Sequence, residues 1–173
     1  MNAVLENIFS RRSTRKFLKK EISKQDLKTL VDCARFAPSA MNRQLCKFTV
    51  LQNKDMMKKL ADAIGKQLGR EGYDFYCPDA LILVSNERTN AHAVEDCACA
   101  LENIFLGAHS MGIGSVWINQ LKGICDEPEI RAVLNELKLP AEHLVWGIAA
   151  LGYTDAPSQN GAVKREDCVE YIL

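Results

Sequence analysis

Between Arg11 and Arg15 the chain places three guanidinium groups and two hydroxyls within five consecutive residues, Arg11-Arg12-Ser13-Thr14-Arg15. Guanidinium forks hold phosphate oxygens two at a time and a hydroxyl adds a further donor, so this run could grip a terminal phosphate. In an extended segment Arg11, Ser13 and Arg15 share one face by period-two alternation. A solvated basic turn would show the same composition. A second polar segment, Pro38-Ser39-Ala40-Met41-Asn42-Arg43-Gln44, lies between a helix and a strand, where a rigid scaffold presents a loop. Its carboxamides each offer donor and acceptor together, which suits a ring edge of alternating C=O and N–H groups, although Ser39 and Asn42 could equally satisfy their own turn.

The elements that must position these segments follow from periodicity. Val4, Leu5, Ile8 and Phe9 predict a short helix leading into the basic run. Ser23 reads as an N-cap, with Leu27, Leu30, Val31 and Ala34 as the apolar stripe of a helix that Pro38 stops. Phe48 to Leu51 reads as a strand, and Asp55 to Leu68 as a helix with Met56, Leu60 and Ile64 inward, ended by Gly69 and Gly72. Ala80 to Val84 is a continuous apolar run suited to a strand buried on both faces. The strongest helical pattern passes through Val94, Cys97, Ala98, Leu101, Ile104, Phe105 and Ala108 to a C-terminal Gly112. Ser115 to Ile118 and Leu144 to Leu151 read as further strands, and Pro128 to Leu137 as a helix with Ile130, Val133 and Leu134 inward. Cys168 to Leu173 alternates as a late strand would. Strands separated by helices argue for layers of helix around one sheet, with strand order and direction left open.

Composition excludes several classes. Lys plus Arg and Asp plus Glu stand at 22 each, so no global field draws the chain to nucleic acid or an anionic membrane. No apolar run is long enough to span a bilayer, and the N-terminus lacks the pattern of a secretion signal. The seven cysteines form no CxxC pair and no metal-ligand spacing, which predicts reduced thiols in a cytoplasmic protein and no bound metal. Cys97 and Cys99 should face different sides of their helix. His109 suits a structural role near a helix C-terminus, and His92 and His143 read as exposed. There is no Ser/His/Asp order, no HExxH, no phosphate-binding GKS or GKT and no GxGxxG.

Taken together, Arg11-Arg12-Ser13-Thr14-Arg15-Lys16-Phe17 and Ala34 to Gln44 resemble the N-terminal signature of the nitroreductase-like FMN flavoproteins. Glu102-Asn103, Ala108 to Ile118, Gly147 to Tyr153 and Lys164-Arg165 resemble later parts of that family in order, so the likeness spans nearly the whole chain. It implies one α+β domain over residues 1–173: a mixed, largely antiparallel sheet flanked by helices, with residues 154–173 as an arm exchanged in a homodimer. It further implies FMN as cofactor, with Arg11, Arg12, Ser13 and Arg15 at its phosphate and ribityl chain and Lys164 and Arg165 approaching the same phosphate. Pro38, Ser39 and Asn42 would come from the other subunit, and Trp117, Ile118, Asn119 and Gln120 would line the ring, one backbone N–H reaching its N5 edge. Such an enzyme uses NADH or NADPH as a transient donor and reduces nitroaromatics, quinones or similar small acceptors by a ping-pong cycle. Relatives with other flavin chemistry (dehalogenating, dehydrogenating, flavin-fragmenting) and a non-enzymatic flavin carrier are the alternatives. Two departures stand out: Leu45-Cys46 replaces the family's Pro-Trp, and Thr154 replaces the Pro after Gly-Tyr. The stretch from Lys66 to Pro78, where relatives often cover the substrate, is short.

Overall fold

The computed structural model describes residues 2–155 and 167–173, and it is an α+β fold. Five helices, α1 (Ala3–Ser10), α2 (Lys24–Arg35), α3 (Lys54–Leu68), α4 (Ala93–Ser110) and α5 (Pro128–Glu136), surround four strands, β1 (Lys47–Leu51), β2 (Ala80–Glu87), β3 (Gly114–Ile118) and β4 (His143–Gly152). The sheet order is β1-β2-β4-β3 and every ladder is antiparallel. One isolated parallel bridge, Ser13 to Ser115, adds the basic segment to the β3 edge, so the sheet is mixed but largely antiparallel.

Both faces of the sheet are covered, which is why β2 reads as an unbroken apolar run. Leu81 and Leu83 pack with α3 and α5 residues such as Leu60, Ile64, Ile130 and Leu134, while Ala80, Ile82 and Val84 pack with Leu30, Leu101 and Ile104 of α2 and α4. Each such Leu, Ile or Val side chain, fully buried, stabilises the fold by about 1.5–3 kcal/mol relative to exposure. The Ser23 hydroxyl accepts from Asp26 N–H at 3.0 Å and caps α2 as predicted. Gly69, at φ 62°, closes α3 in the left-handed conformation that glycine adopts without steric cost. Asp79, at the head of β2, accepts from Ile22 N–H at 2.8 Å, Gln52 at 2.8 Å and Lys54 at 3.0 Å, joining three segments at one carboxylate.

Several expectations shift by a residue or a face. α2 ends at Arg35, because the chain already turns at Phe36 before Pro38 is reached. In α3 it is Met57 that is buried, with Met56 at the margin, and in α4 Ala93 and Ala100 face inward while Val94 lies on the outer side. His143 is buried, its Nδ1 at 3.2 Å from Ser85 Oγ across the β2–β4 ladder, because β4 begins one residue earlier than the apolar run suggests. His92 is exposed as expected. Cys168 to Leu173 forms no strand in the single chain.

Candidate functional site

The basic segment leaves α1 at Arg11, whose backbone is already extended at φ −56°, ψ 135°, and runs along the β3 edge. Thr14 N–H donates to Ser115 O at 2.8 Å and Leu18 N–H to Tyr153 O at 2.8 Å. Two glycines make room for it. A Cβ on Gly114 would meet Thr14 at 2.9 Å and one on Gly152 would meet Phe17 at 2.8 Å, and the two glycines are paired across β3 and β4. Thr14 and Phe17 therefore anchor the segment while Ser13 and Arg15 stay exposed and Arg11 half-exposed; the predicted alternation holds around Thr14 but not across the whole run, since Arg12 is half-buried like Arg11 and Phe17 turns inward.

Arg11 lies over the Phe105 ring at 6.0 Å and its Nε is 3.8 Å from Glu102 Oε1, so α4 holds it from below. Arg15 lies 5.9 Å from the Tyr76 ring. Arg12 behaves differently: its Nη1 donates to Phe9 O at 2.8 Å and Arg11 O at 2.7 Å, so it caps the C-terminal carbonyls of α1. Its Nε is buried with no hydrogen-bond partner among the described residues. His109 meets Ser10 Oγ at 2.8 Å, and burial, then the charges of Arg11 and Arg12, hold its pKa below the usual imidazole value. Burial first and the two guanidinium charges second, rather than the helix terminus, set the state of that histidine.

Trp117 stands next to this cluster on the α4 face of β3, 40% exposed, its ring 6.1 Å from Phe105. It approaches the backbone at Gly147, where a Cβ would lie 2.9 Å from the indole Nε1 and 2.5 Å from Leu101 Cδ1. Register slips here, since Val84 pairs with Gly147 and Ser85 with Val145, a β-bulge at Trp146 that turns both 146 and 147 to the α4 side. Ile118 is buried in the opposite layer, so only its backbone is on offer. Asn119 N–H donates to the Gln120 side-chain oxygen at 3.0 Å, and Asn119 is exposed at the end of β3.

The carboxamide loop sits elsewhere. Ala40–Asn42 is a single 3-10 turn with Met41, Asn42 and Gln44 all at φ 53°. Ser39 Oγ accepts from Gln44 N–H at 3.1 Å, Gln44 Nε2 donates to Asn42 Oδ1 at 3.0 Å, and Ala40 N–H is held by Asp96 at 2.8 Å. Pro38 and Asn42 are exposed and Ser39 half-buried. This loop feeds β1, the edge opposite β3, so three strand spacings, about 14 Å, separate the two segments across the sheet. Along α4, Asp96 and His109 mark their positions about 20 Å apart. Among the described residues no hydrogen bond, ion pair or ring contact joins them. Lys164 and Arg165 lie outside the described residues.

A nitroreductase family model matches residues 8–153. The chain belongs to the nitroreductase family. Among solved structures, a nitroreductase with bound FMN from Bacteroides fragilis is 36% identical, with complete coverage of both chains and a TM-score of 0.93. A protein of Archaeoglobus fulgidus named as an NADH dehydrogenase/NAD(P)H nitroreductase, a name marked as provisional, is 32% identical over 160 residues, 88% of this chain and 86% of its own length. A nitroreductase with bound FMN from Desulfitobacterium hafniense, 24% identical with complete coverage of both chains and a TM-score of 0.85, shares the fold.

In this nitroreductase-family chain, sequence reasoning missed Glu102 as the partner of Arg11, Phe105 beneath it and Tyr76 beside Arg15. The one signal available was glycine: Gly147 inside an apolar strand marks a close approach, and it is Trp117 that comes close.

Proposed function

We propose that this chain is an FMN-dependent oxidoreductase that works as a homodimer, taking hydride from NADH or NADPH and passing it to nitroaromatic, quinone or similar electron-poor acceptors. The single observation behind the reading is the β3-edge cluster. Arg11, Ser13 and Arg15, half-exposed or exposed, lie along an extended segment beside a half-exposed indole, while Arg12 presents a buried Nε with no hydrogen-bond partner among the described residues. These residues fit a phosphorylated aromatic cofactor, and the FMN bound in the Bacteroides fragilis structure favours that identity.

When bound, FMN supplies the two-electron chemistry, and the protein needs no acid–base pair of its own. Arg11 and Arg15 would neutralise the phosphate and Ser13 would donate to it. Lys164 and Arg165 are proposed to approach the same group. Trp117 would set one wall of the ring pocket, and the Asn119 N–H could exchange its Gln120 partner for an acceptor on the ring edge. Pro38, Ser39 and Asn42 would come from the second copy, because the loop and the cluster occupy opposite sheet edges of one chain. The exposed apolar side chains support pairing. α1 buries none of its residues, leaving Val4, Leu5, Ile8 and Phe9 on the surface, and Phe36, Met41, Tyr171, Ile172 and Leu173 are exposed as well. Apolar surface on this scale marks an interface. Residues 154–173 are proposed as the exchanged arm. No described helix is long and apolar enough to cross a membrane, and seven cysteines without a CxxC pair suit the cytoplasm.

The test is an absorption spectrum of the purified protein after incubation with FMN, before and after NADPH is added without oxygen. A flavin band that bleaches and returns with a quinone or nitroaromatic is expected. A protein that retains no flavin would refute the reading, and a bound flavin that NADH and NADPH both leave oxidised would identify a carrier.

A further inference from the structure

Cys46 and Cys97 are 51 residues apart in sequence, yet their sulfurs lie 3.7 Å from one another. Cys46 immediately precedes β1 and Cys97 sits in the first turns of α4, so the pair spans the junction that also holds the carboxamide loop through Ala40 and Asp96. Their surroundings differ. Cys97 is fully buried among Ile82, Ala100 and Leu101. Cys46 is half-buried and lines a cavity of about 160 Å³ together with Pro38, Ser39, Gln44 and Asp96. The Asn86 amide donates to the Cys46 sulfur at 3.4 Å. The Cys97 hydrogen bond draws the Cys46 thiol below its ordinary pKa, against burial and the Asp96 charge, with Asn86 helping. The same bond, then burial, pushes Cys97 up. Cys46 is thus the sulfur that a small molecule in the cavity reaches, and Cys97 lies buried behind it.

We propose that Cys46 and Cys97 form a peroxide-reactive dithiol, in which Cys46 attacks a small hydroperoxide entering the cavity and Cys97 resolves the product as an intrachain disulfide. In the first step the Cys46 thiolate forms an S–O bond to the peroxide, the O–O bond breaks, and the departing alkoxide or hydroxide takes a proton from water. In the second the Cys97 sulfur attacks the Cys46 sulfenic acid, an S–S bond forms, the S–O bond breaks, and hydroxide leaves with the Cys97 proton as water. Two thiols are oxidised and one hydroperoxide is reduced to an alcohol, or to water where the probe is hydrogen peroxide, with one further water released. The sulfurs must close by about 1.7 Å to reach disulfide length. That bond would tie the start of β1 to α4 beside the loop, and a thiol reductant would release it. None of these steps needs a flavin, so the proposal stands or falls apart from the assignment of the cofactor.

The experiment treats the fully reduced, purified protein with one equivalent of hydrogen peroxide, alkylates the remaining thiols under denaturing conditions, and maps peptides without reduction. A Cys46–Cys97 linked pair, a loss of two of the seven thiols and full recovery with dithiothreitol are expected. In Cys97→Ser, Cys46 should stop at a sulfenic acid trapped by dimedone. In the untreated native protein, limiting iodoacetamide should label Cys46 at least about tenfold faster than Cys97. Recovery of Cys46 and Cys97 both alkylated, after the exposed Cys77, Cys99 or Cys168 has consumed the peroxide, would overturn the proposal. The wild-type map answers the question even if Cys97→Ser does not fold.

Discussion

Replacing Arg11 and Arg15 together by Ala tests whether the β3-edge cluster is a phosphate grip. In the free protein neither side chain contributes much to the fold: Arg11 meets Glu102 at 3.8 Å with that carboxylate 52% exposed, a pair worth at most about 1 kcal/mol. Among the described residues Arg15 meets the Tyr76 ring at 5.9 Å, a contact worth about 0.5–1 kcal/mol at an exposed site. Toward a phosphate the balance reverses, since each charge-assisted hydrogen-bonding group is worth about 1.5–3 kcal/mol. Two of them amount to about 3–6 kcal/mol, and at about 1.4 kcal/mol per factor of ten the double variant should bind FMN roughly a hundred-fold to ten-thousand-fold more weakly. Glu102→Gln is the internal control, because it frees Arg11 from that carboxylate and removes an anion from the site, so affinity should hold or rise. The assay is quenching of FMN fluorescence at fixed ionic strength, repeated at higher salt, where the wild type should lose affinity and the double variant lose less. A folded double variant whose affinity stays within threefold of wild type would refute the phosphate assignment.

Further expectations concern the scaffold. Gly147→Ala puts a Cβ 2.5 Å from Leu101 and 2.9 Å from the Trp117 indole, so it should cost about 1–3 kcal/mol by urea unfolding and alter tryptophan fluorescence. Asp79→Asn keeps one oxygen and turns the other into a donor, so Ile22, Gln52 and Lys54 cannot all be served and the fold should lose about 1–3 kcal/mol. Burial raises the Asp79 pKa, but those three donors outweigh it and hold the carboxyl below its usual range; the contribution is present above about pH 4 and lost on acidification, so wild type and variant should converge in acid. Burial also holds His143 below the ordinary imidazole pKa, against the charges of Glu142 and Glu87. The unfolded chain therefore binds the extra proton first, so stability should fall as pH drops below about 6.5, and less steeply in His143→Gln, read from urea midpoints.

What could be read from residues alone was whatever a local pattern encodes. The Ser23 cap, the buried stripe of α5 and the doubly covered β2 depend on neighbours within a turn or on strict alternation, and they stand where the pattern puts them. The alternation of the basic segment also holds at Ser13 and Arg15, but nothing local announces that Arg12 turns back to cap α1. The misreading of His143 has a similar source, because its burial is decided by Ser85 on a strand 58 residues away. Cys46 and Cys97 belong to this class too: read singly they are two apolar thiols, and only the packing of β1 against α4 brings them together. Strand order was beyond the pattern altogether, yet it is the order that sets the loop and the cluster on opposite edges.

That separation can be tested by complementation. Copies carrying Arg11→Ala with Arg15→Ala are mixed with copies carrying Ser39→Ala with Asn42→Ala, and the mixed dimer is isolated by two affinity tags and titrated with FMN. If each pocket takes its phosphate grip from one copy and its carboxamide loop from the other, the mixed dimer holds one intact and one doubly damaged pocket. It should then bind one FMN with wild-type affinity, while both parent homodimers bind weakly. A mixed dimer without any tight site would contradict the account.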